Sequence, residues 1–221
     1  MFNSLLSLLF PPICPICSMP LLPEDTRGVC ASCMTELAAL YSPKLISSRI
    51  ISDAGICRAT VLFPYRDAKI KKMIFAAKTR GSRTAVRFFA SYAADGILSE
   101  KVFSSAQIIT YAPRRKSALY KSGNDQAFLY AKDISTLTGI PCSRLISRTG
   151  GFFDGRREQK TLGQAERAKN VRGSFRASPD ASGKRILLID DVMTTGSTLS
   201  EAARVLLASG AASVCVIAIS G

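Results

Sequence analysis

Along the chain, short unbroken apolar runs alternate with longer stretches whose apolar positions recur every three or four residues. The first kind reads as strands covered on both faces, the second as amphipathic helices. The clearest strands are Ile108 to Tyr111, Ile186 to Ile189 and Ser213 to Ile219, with another from Cys57 to Tyr65 that holds Val61, Leu62 and Phe63. Cys142 to Ser147 is read as a further strand and Gly173 to Ala177 as a short one. Helical spacing marks Ile70, Met73, Ile74 and Ala77, then Val86, Phe89 and Ala93 within Ser82 to Leu98. It recurs at Phe128, Ala131, Ile134 and Leu137 within Asn124 to Leu137, and at Leu199, Ala202, Ala203, Leu206 and Gly210. Strands alternating with helices predict an α/β fold, a parallel sheet flanked by helices.

The head of the chain breaks this pattern. Met1 to Phe10 is apolar but is stopped by Pro11 and Pro12, too short to span a membrane and without a basic n-region or cleavage site. It reads as a short amphipathic helix with Leu5, Leu8 and Leu9 inward, so no membrane attachment and a cytoplasmic location are expected. Residues 34 to 56 read as a helix and an irregular Ser-, Pro- and Lys-bearing connection. The chain is accordingly divided into an N-terminal helix and cysteine module, 1–50, and an α/β domain, 51–221.

Cys14-Pro-Ile-Cys17 and Cys30-Ala-Ser-Cys33 form two C-x2-C pairs separated by twelve residues. Each pair can hold one metal from a tight knuckle, and four thiolates close the shell, so a structural Zn²⁺ is favoured. Two disulfides or an iron–sulfur site are the competing readings, of which disulfides conflict with a cytoplasmic chain. Cys57, Cys142 and Cys215 lie in apolar surroundings and read as core residues.

The stretch RILLIDDVMTTGSTL, Arg185 to Leu199, carries the most specific chemistry. A strand ends in Asp190 and Asp191, and the turn Thr194-Thr195-Gly196-Ser197-Thr198 leads into a helix. The first helical N–H groups lack intrahelical partners and the helix dipole favours negative charge there, so the turn is an anion site with hydroxyls added. No Gly-Lys-Ser/Thr follows the glycine, which excludes a Walker P-loop. Carboxylates only accept hydrogen bonds, so the two acids suit sugar hydroxyls or hydrated Mg²⁺. Together these point to a ribose 5-phosphate.

Charge supports an anionic partner. The net charge is +14, and with no His in the chain there is no imidazole base, no His-dependent triad and no His metal ligand. Lys69, Lys71, Lys72 and Lys78 flank the apolar stripe at 70–77, either as a solvated face or as a phosphate-tracking surface. Arg114, Arg115 and Lys116 close the strand 108–111 where open α/β sheets bind ligands. A long basic, Gly-punctuated stretch, 148–168, holds Arg156, Arg157 and Lys160 and reads as a lid or as a plain surface excursion.

ILLIDDVMTTGSTL resembles the phosphoribosyl-pyrophosphate signature of type I phosphoribosyltransferases. With the four-cysteine module, the segment APRRKSALYKSGNDQAFLYAK and the block QKTLGQAERAKNVRGSF, nearly the whole chain resembles the ComF family of competence-associated proteins. It departs at SGNDQ, where Asn124-Asp125 replace the Phe-Asn of the family. The resemblance implies that Asp190 and Asp191 hold the ribose hydroxyls with Mg²⁺ as the catalytic pair. It implies further that Thr194, Thr195, Gly196, Ser197 and Thr198 hold the 5-phosphate. Arg114, Arg115 and Lys116 would stand by the pyrophosphate, and Arg156, Arg157 and Lys160 in a flexible catalytic loop. The reaction implied is displacement of pyrophosphate at the anomeric carbon by an acceptor, through an oxocarbenium-like transition state. A second reading is a non-catalytic protein of DNA uptake that senses such a ligand, or contacts single-stranded DNA or a competence helicase.

Overall fold

The computed structural model describes residues 11–79, 81–114, 119, 125–149 and 171–221. In chain order its first elements are α1 (Ala31–Ala38), β1 (Lys44–Leu45), α2 (Arg49–Asp53), β2 (Arg58–Phe63), α3 (Ala68–Thr79), α4 (Arg83–Ser99) and α5 (Lys101–Ser104). There follow β3 (Ile108–Tyr111), α6 (Gln126–Thr138), β4 (Ile146–Arg148), β5 (Phe175–Ala177), β6 (Arg185–Val192), α7 (Ser197–Ala208) and β7 (Ser213–Ser220).

The two longest apolar runs, β6 and β7, lie side by side inside a five-stranded sheet of order β1-β2-β7-β6-β3. β2, β7, β6 and β3 are parallel, and β1 closes one edge antiparallel to β2. Both faces of the sheet are covered, which explains runs with no polar alternation. Strand side chains alternate between faces, so each run feeds two cores. Leu187, Ile189, Cys215, Ile217 and Ile219 enter the core with Leu37 of α1, Ile70 and Met73 of α3, Phe88 and Phe89 of α4 and Ile134 of α6. Ile186, Leu188, Val214, Val216 and Ala218 enter the other, with Ile51 of α2 and Leu199, Ala202, Ala203 and Leu206 of α7. The mostly parallel, helix-flanked sheet is the α/β fold expected from the pattern, and of the type I phosphoribosyltransferase kind that the resemblance implies.

Several local expectations need correction. Cys142 to Ser147 is not one strand of this sheet. Cys142 makes a single parallel bridge with Ile109, after which the Leu145 N–H turns to the Thr110 hydroxyl, 3.1 Å away. Ile146 to Arg148 then pairs antiparallel with β5 in a separate two-stranded ribbon. In α6 the buried face is Ala127, Tyr130, Ala131 and Ile134, with Tyr130 against Phe89 of α4, while Leu137 is exposed and Phe128 packs its ring on Tyr111 at the surface, 5.3 Å between centroids. Gly210 lies beyond the end of α7, at φ +89°. Cys57 is exposed and bonded to Cys215 as a disulfide, its Cα 5.4 Å from that of Cys215 on the neighbouring strand. An apolar environment for β7 alone did not reveal that partner.

The cysteine module is built into the first core. Cys14, Leu21, Val29, Cys33 and Leu37 are buried with the side chains of α3 and α4. Gly28, at φ +84°, lies so close to α4 that a Cβ there would sit 2.3 Å from the Thr84 carbonyl oxygen. Arg27 pairs with Asp95 at 2.8 Å and covers the Tyr92 ring. Met1 to Phe10, with Leu5, Leu8 and Leu9, lie outside the described residues. No described helix is long and apolar enough to cross a membrane.

Candidate functional site

The site lies at the C-terminal ends of the parallel strands. β6 carries Asp190 and Asp191 inside its ladder, Asp190 opposite Ala218, and its last residue Val192 opposite Ser220. Met193 N–H then donates to the Ser220 carbonyl at 2.8 Å, so the chain leaves the sheet only after both acids have been placed. Gly196 turns it at φ +77° and stands as the N-cap of α7. A Cβ at this position would meet Ile51 Cδ1 at 3.3 Å. The left-handed backbone thus favours glycine here, and a Cβ would also press on the Ile51 side chain of α2.

Asp190 lines a small hollow of ≈ 20 Å³ with residues 192–199, including Thr194, Thr195, Gly196, Ser197 and Thr198. Its floor is the first turn of α7, whose leading N–H groups have no intrahelical acceptor. The helix ladder begins where Ser200 N–H donates to the Gly196 carbonyl, 2.9 Å. The Thr195 and Ser197 hydroxyls are 2.9 Å apart, and Ser197 N–H lies 3.4 Å from the Thr195 hydroxyl. The Asp190 carboxylate accepts from Asp191 N–H at 2.9 Å, and that of Asp191 from Val192 N–H at 2.8 Å. Burial, reinforced by the neighbouring Asp191 charge, pushes the Asp190 carboxyl well above the usual carboxylate range. An acid held this way gains from a hydroxyl or cation that favours its charged form.

Asp191 faces a second, larger space. It lines an open cleft of ≈ 730 Å³ together with Val192, Thr194, Arg114, and Tyr65, Ala68, Lys71, Lys72, Ile74, Phe75 and Lys78 of the β2–α3 segment. Four cations and a single carboxylate therefore line the same cleft. The lysine-rich face of α3 is neither a purely solvated face nor a distant surface. Its Lys71, Lys72 and Lys78 form the wall of the site. The sequence displayed their density, but only the β2–α3 connection brings them beside β6. Lys71 stands over the Tyr65 ring at 5.8 Å, and Phe75 is 57% exposed at the cleft.

Of the basic loop, Arg114 is at this cleft, while Arg115 and Lys116 lie outside the described residues, as do Arg80, Arg156, Arg157 and Lys160. Asp125, the acid at which the sequence departs from its look-alikes, tethers the loop: its carboxylate lies 3.4 Å from Arg114 N–H at the start of α6. Burial raises the Asp125 carboxyl above its ordinary value. Two supports were not legible beforehand. Arg148 donates through Nε to the Pro113 carbonyl at 2.8 Å and lies over the Phe175 ring. Buried Glu201 accepts from Gly173 N–H at 2.7 Å and holds Arg204 through two bonds of 2.8 Å, which lower its carboxyl below the usual range.

The sulfurs of Cys14, Cys17, Cys30 and Cys33 all lie within 4.8 Å of one another. A tetrahedral Zn²⁺ with bonds near 2.3 Å sets its sulfurs about 3.8 Å apart. The cluster fits such an ion after a small contraction. Ser18, at φ +64°, closes the first knuckle, with its N–H donating to the Cys14 carbonyl at 2.9 Å. The second knuckle is the start of α1, where the Ser32 hydroxyl and the Cys33 N–H hold the Cys30 thiol down to about 6. The module is tied to the cleft: Lys72 Nζ donates to the Ile16 carbonyl, between Cys14 and Cys17, at 2.6 Å, and Lys69 pairs with Glu36 of α1.

Among known proteins, the phosphoribosyl transferase domain family matches residues 131–220. The chain is 26% identical to "Competence protein ComFC" of Bacillus subtilis over 201 residues, 90% of this chain and 73% of that protein. It is 41% identical to "DNA utilization protein YhgH" of Escherichia coli over 56 residues. That match spans 25% of this chain and a quarter of the relative's length. A solved adenine phosphoribosyltransferase from Leishmania tarentolae aligns with 80% of this chain and 94% of its own, at 13% identity and a TM-score of 0.44.

Proposed function

We propose that this chain, which resembles the ComF family, binds phosphoribosyl pyrophosphate with Mg²⁺ and transfers the phosphoribosyl group to an acceptor. The observation that carries this reading is the β6–α7 turn. Two acids are fixed in a strand, and the next residues present helix N-terminal N–H groups without intrahelical acceptors, hydroxyls and a left-handed glycine around one hollow. Thr194, Thr195, Gly196, Ser197 and Thr198 would take the 5-phosphate, and Asp190 and Asp191 the ribose hydroxyls. Arg114, with Arg115 and Lys116 of its loop, and Lys71 and Lys78 of α3 would face the pyrophosphate.

On this reading the chain's own residues orient and neutralise rather than move protons. The turn fixes one end of the ribose, the acids fix its hydroxyls, and the cleft cations offset charge that grows on the leaving pyrophosphate. Mg²⁺, when bound through ligand oxygens, supplies further neutralisation of that charge. Among the described residues the groups of three or more candidate protein ligands for an ion reduce to the four cysteines, so Mg²⁺ would depend on the ligand for most of its shell. The cysteines would hold a structural Zn²⁺. Arg156, Arg157 and Lys160 would belong to the loop that covers the site, and four thiols kept for a metal would suit a cytoplasmic location.

Calorimetric titration with phosphoribosyl pyrophosphate tests the reading before any acceptor is chosen. Saturable, Mg²⁺-dependent binding that disappears in Asp190→Asn with Asp191→Asn is the expected result. Absence of binding to the zinc-loaded protein would overturn it. The names of the two relatives favour a setting in DNA uptake, and a second reading keeps the same ligand site in a non-catalytic role beside single-stranded DNA or a helicase. Binding without pyrophosphate release against a broad acceptor panel would select that second reading.

A further inference from the structure

The disulfide between Cys57 and Cys215 stands apart from both sites described above. Cys57 precedes β2 and is exposed, while Cys215, the third residue of β7, is 4% exposed. Their strands are neighbours in the ladder, with Arg58 opposite Cys215, and Cys57 N–H donates to the Val214 carbonyl at 3.0 Å. The Cα separation of 5.4 Å is thus set by the sheet and needs no movement of the backbone to make or break the bond. Cys215 lies five residues before Ser220, about 16 Å along β7 from the ligand end of the sheet.

Three observations argue against an inert staple. The pair is asymmetric, with one sulfur open to solvent and the other covered, the arrangement in which a small oxidant can reach only the first. The ladder already joins the two strands beside the pair, through the Cys57 N–H on the Val214 carbonyl at 3.0 Å, so their pairing does not depend on the bond. The same chain also keeps four clustered thiols fit for a metal, which requires reducing surroundings where a protein disulfide is transient rather than permanent. Cys142, by contrast, is half-buried and bonded to no other sulfur.

We propose that Cys57 and Cys215 are a thiol–disulfide exchange pair for a low-molecular-weight disulfide of the glutathione type, Cys57 the attacking thiol and Cys215 the resolving one. The Cys57 thiolate attacks one sulfur of the small disulfide, forms a mixed disulfide and expels one small thiolate. Cys215 gives up its proton and attacks Cys57 Sγ, expelling the second. Two protein thiols are oxidised by two electrons, and the small disulfide is reduced to two thiols once the expelled thiolates have taken up protons. Because the pair lies at the opposite end of the strands from the turn and cleft, this chemistry is independent of the phosphoribosyl reading.

The test uses the full zinc-loaded chain, equilibrated in buffers of stepped ratio of reduced to oxidised glutathione, quenched by alkylation and mapped by peptide mass spectrometry, with zinc content followed alongside. Expected is a reversible 57–215 bridge that forms as the ratio falls, while the four module cysteines retain their zinc. Cys215→Ala should accumulate a glutathione adduct on Cys57, and Cys57→Ser should leave Cys215 unmodified. Oxidation reaching the module cysteines first, a pair that stays reduced across the whole range, or equal adduct on Cys215 in Cys57→Ser would each overturn the proposal. The wild-type map alone decides it should either variant fold poorly.

Discussion

Between Asp190 and Thr198, nine consecutive residues supply two carboxylates, four hydroxyls and a helix N-terminus. The adjoining cleft draws its cations from α3 and from the loop after β3, segments separated by two helices and a strand. The first half of the site is held by covalent neighbours and by the β6 ladder. The second half depends on how α3 is buttressed, and the buttress is the cysteine module, through Lys72 on the Ile16 carbonyl and Lys69 on Glu36. A local site is rigid by construction, whereas an assembled one inherits the stability of everything that positions it.

Metal removal should separate the two halves most strongly. Structural zinc sites contribute folding free energy outright, so stripping the metal should cost several kcal/mol and lower the thermal midpoint. Hydrogen exchange should then rise in 68–79, where α3 loses its outer contact, and change little in 197–208, where α7 packs on the other face of the sheet. Equal acceleration in both segments would break the distinction between local and assembled halves.

Asp190→Asn attacks the local half directly. Each hydrogen bond to a charged acceptor contributes about 1.5–3 kcal/mol, so affinity for phosphoribosyl pyrophosphate should fall about tenfold to a hundredfold. The ligand-free protein should nevertheless become more stable, because a buried charge facing Asp191 is removed. The sign follows from linkage. The folded carboxyl binds its proton more tightly than the free one, so wild-type stability rises as pH falls through the raised folded value and the gain is complete below the ordinary 3.8. Thermal melts of the two proteins should converge as pH falls across that window. A variant that is less stable than wild type at neutral pH would show that the acid is structurally favourable.

Gly196→Ala should be milder in affinity and opposite in stability. The left-handed φ of +77° costs a Cβ-bearing residue about 1–2 kcal/mol, and Ile51 must also give way at 3.3 Å. A fall of ~2–8 °C in thermal midpoint is expected for a chain of this size. An unchanged midpoint would mean that the turn can relax into another conformation, and that the local half is less rigid than its bonds suggest.

The same contrast explains what the sequence disclosed. The sheet strands were legible because two covered faces leave no polar residue in 186–189 or 214–219, and the turn because its chemistry is contiguous. The four cysteines were legible because knuckle spacing is local. By contrast, the bend after Cys142 depends on a single hydroxyl, Thr110, from another strand. The inward face of α6 is set by Tyr130 meeting Phe89 of α4, 6.0 Å between centroids, which periodicity within α6 could not anticipate. Likewise, the role of the α3 lysines and the Cys57–Cys215 bond are both products of which strands become neighbours.

The smallest expected effect is also the cleanest probe of the assembled half. Lys78 lines the cleft through its side chain, while its backbone carbonyl accepts from Gln126 Nε2 at 3.2 Å, a bond that Lys78→Ala retains. Lys72→Ala would be ambiguous, since it also releases Ile16. Removing one solvent-facing cation should lower affinity for phosphoribosyl pyrophosphate about threefold at low ionic strength. The deficit should shrink as salt rises, because an exposed charge is screened over about 10 Å at 0.1 M. Titrations of Lys78→Ala and wild type across a salt series read this directly. If the deficit is independent of salt, Lys78 acts through contact and not through field, and the cleft is then a shaped pocket rather than an electrostatic one. A deficit that instead vanishes in metal-stripped protein, where the Lys72 tether has lost its anchor, would show that the module sets the position of this charge as well.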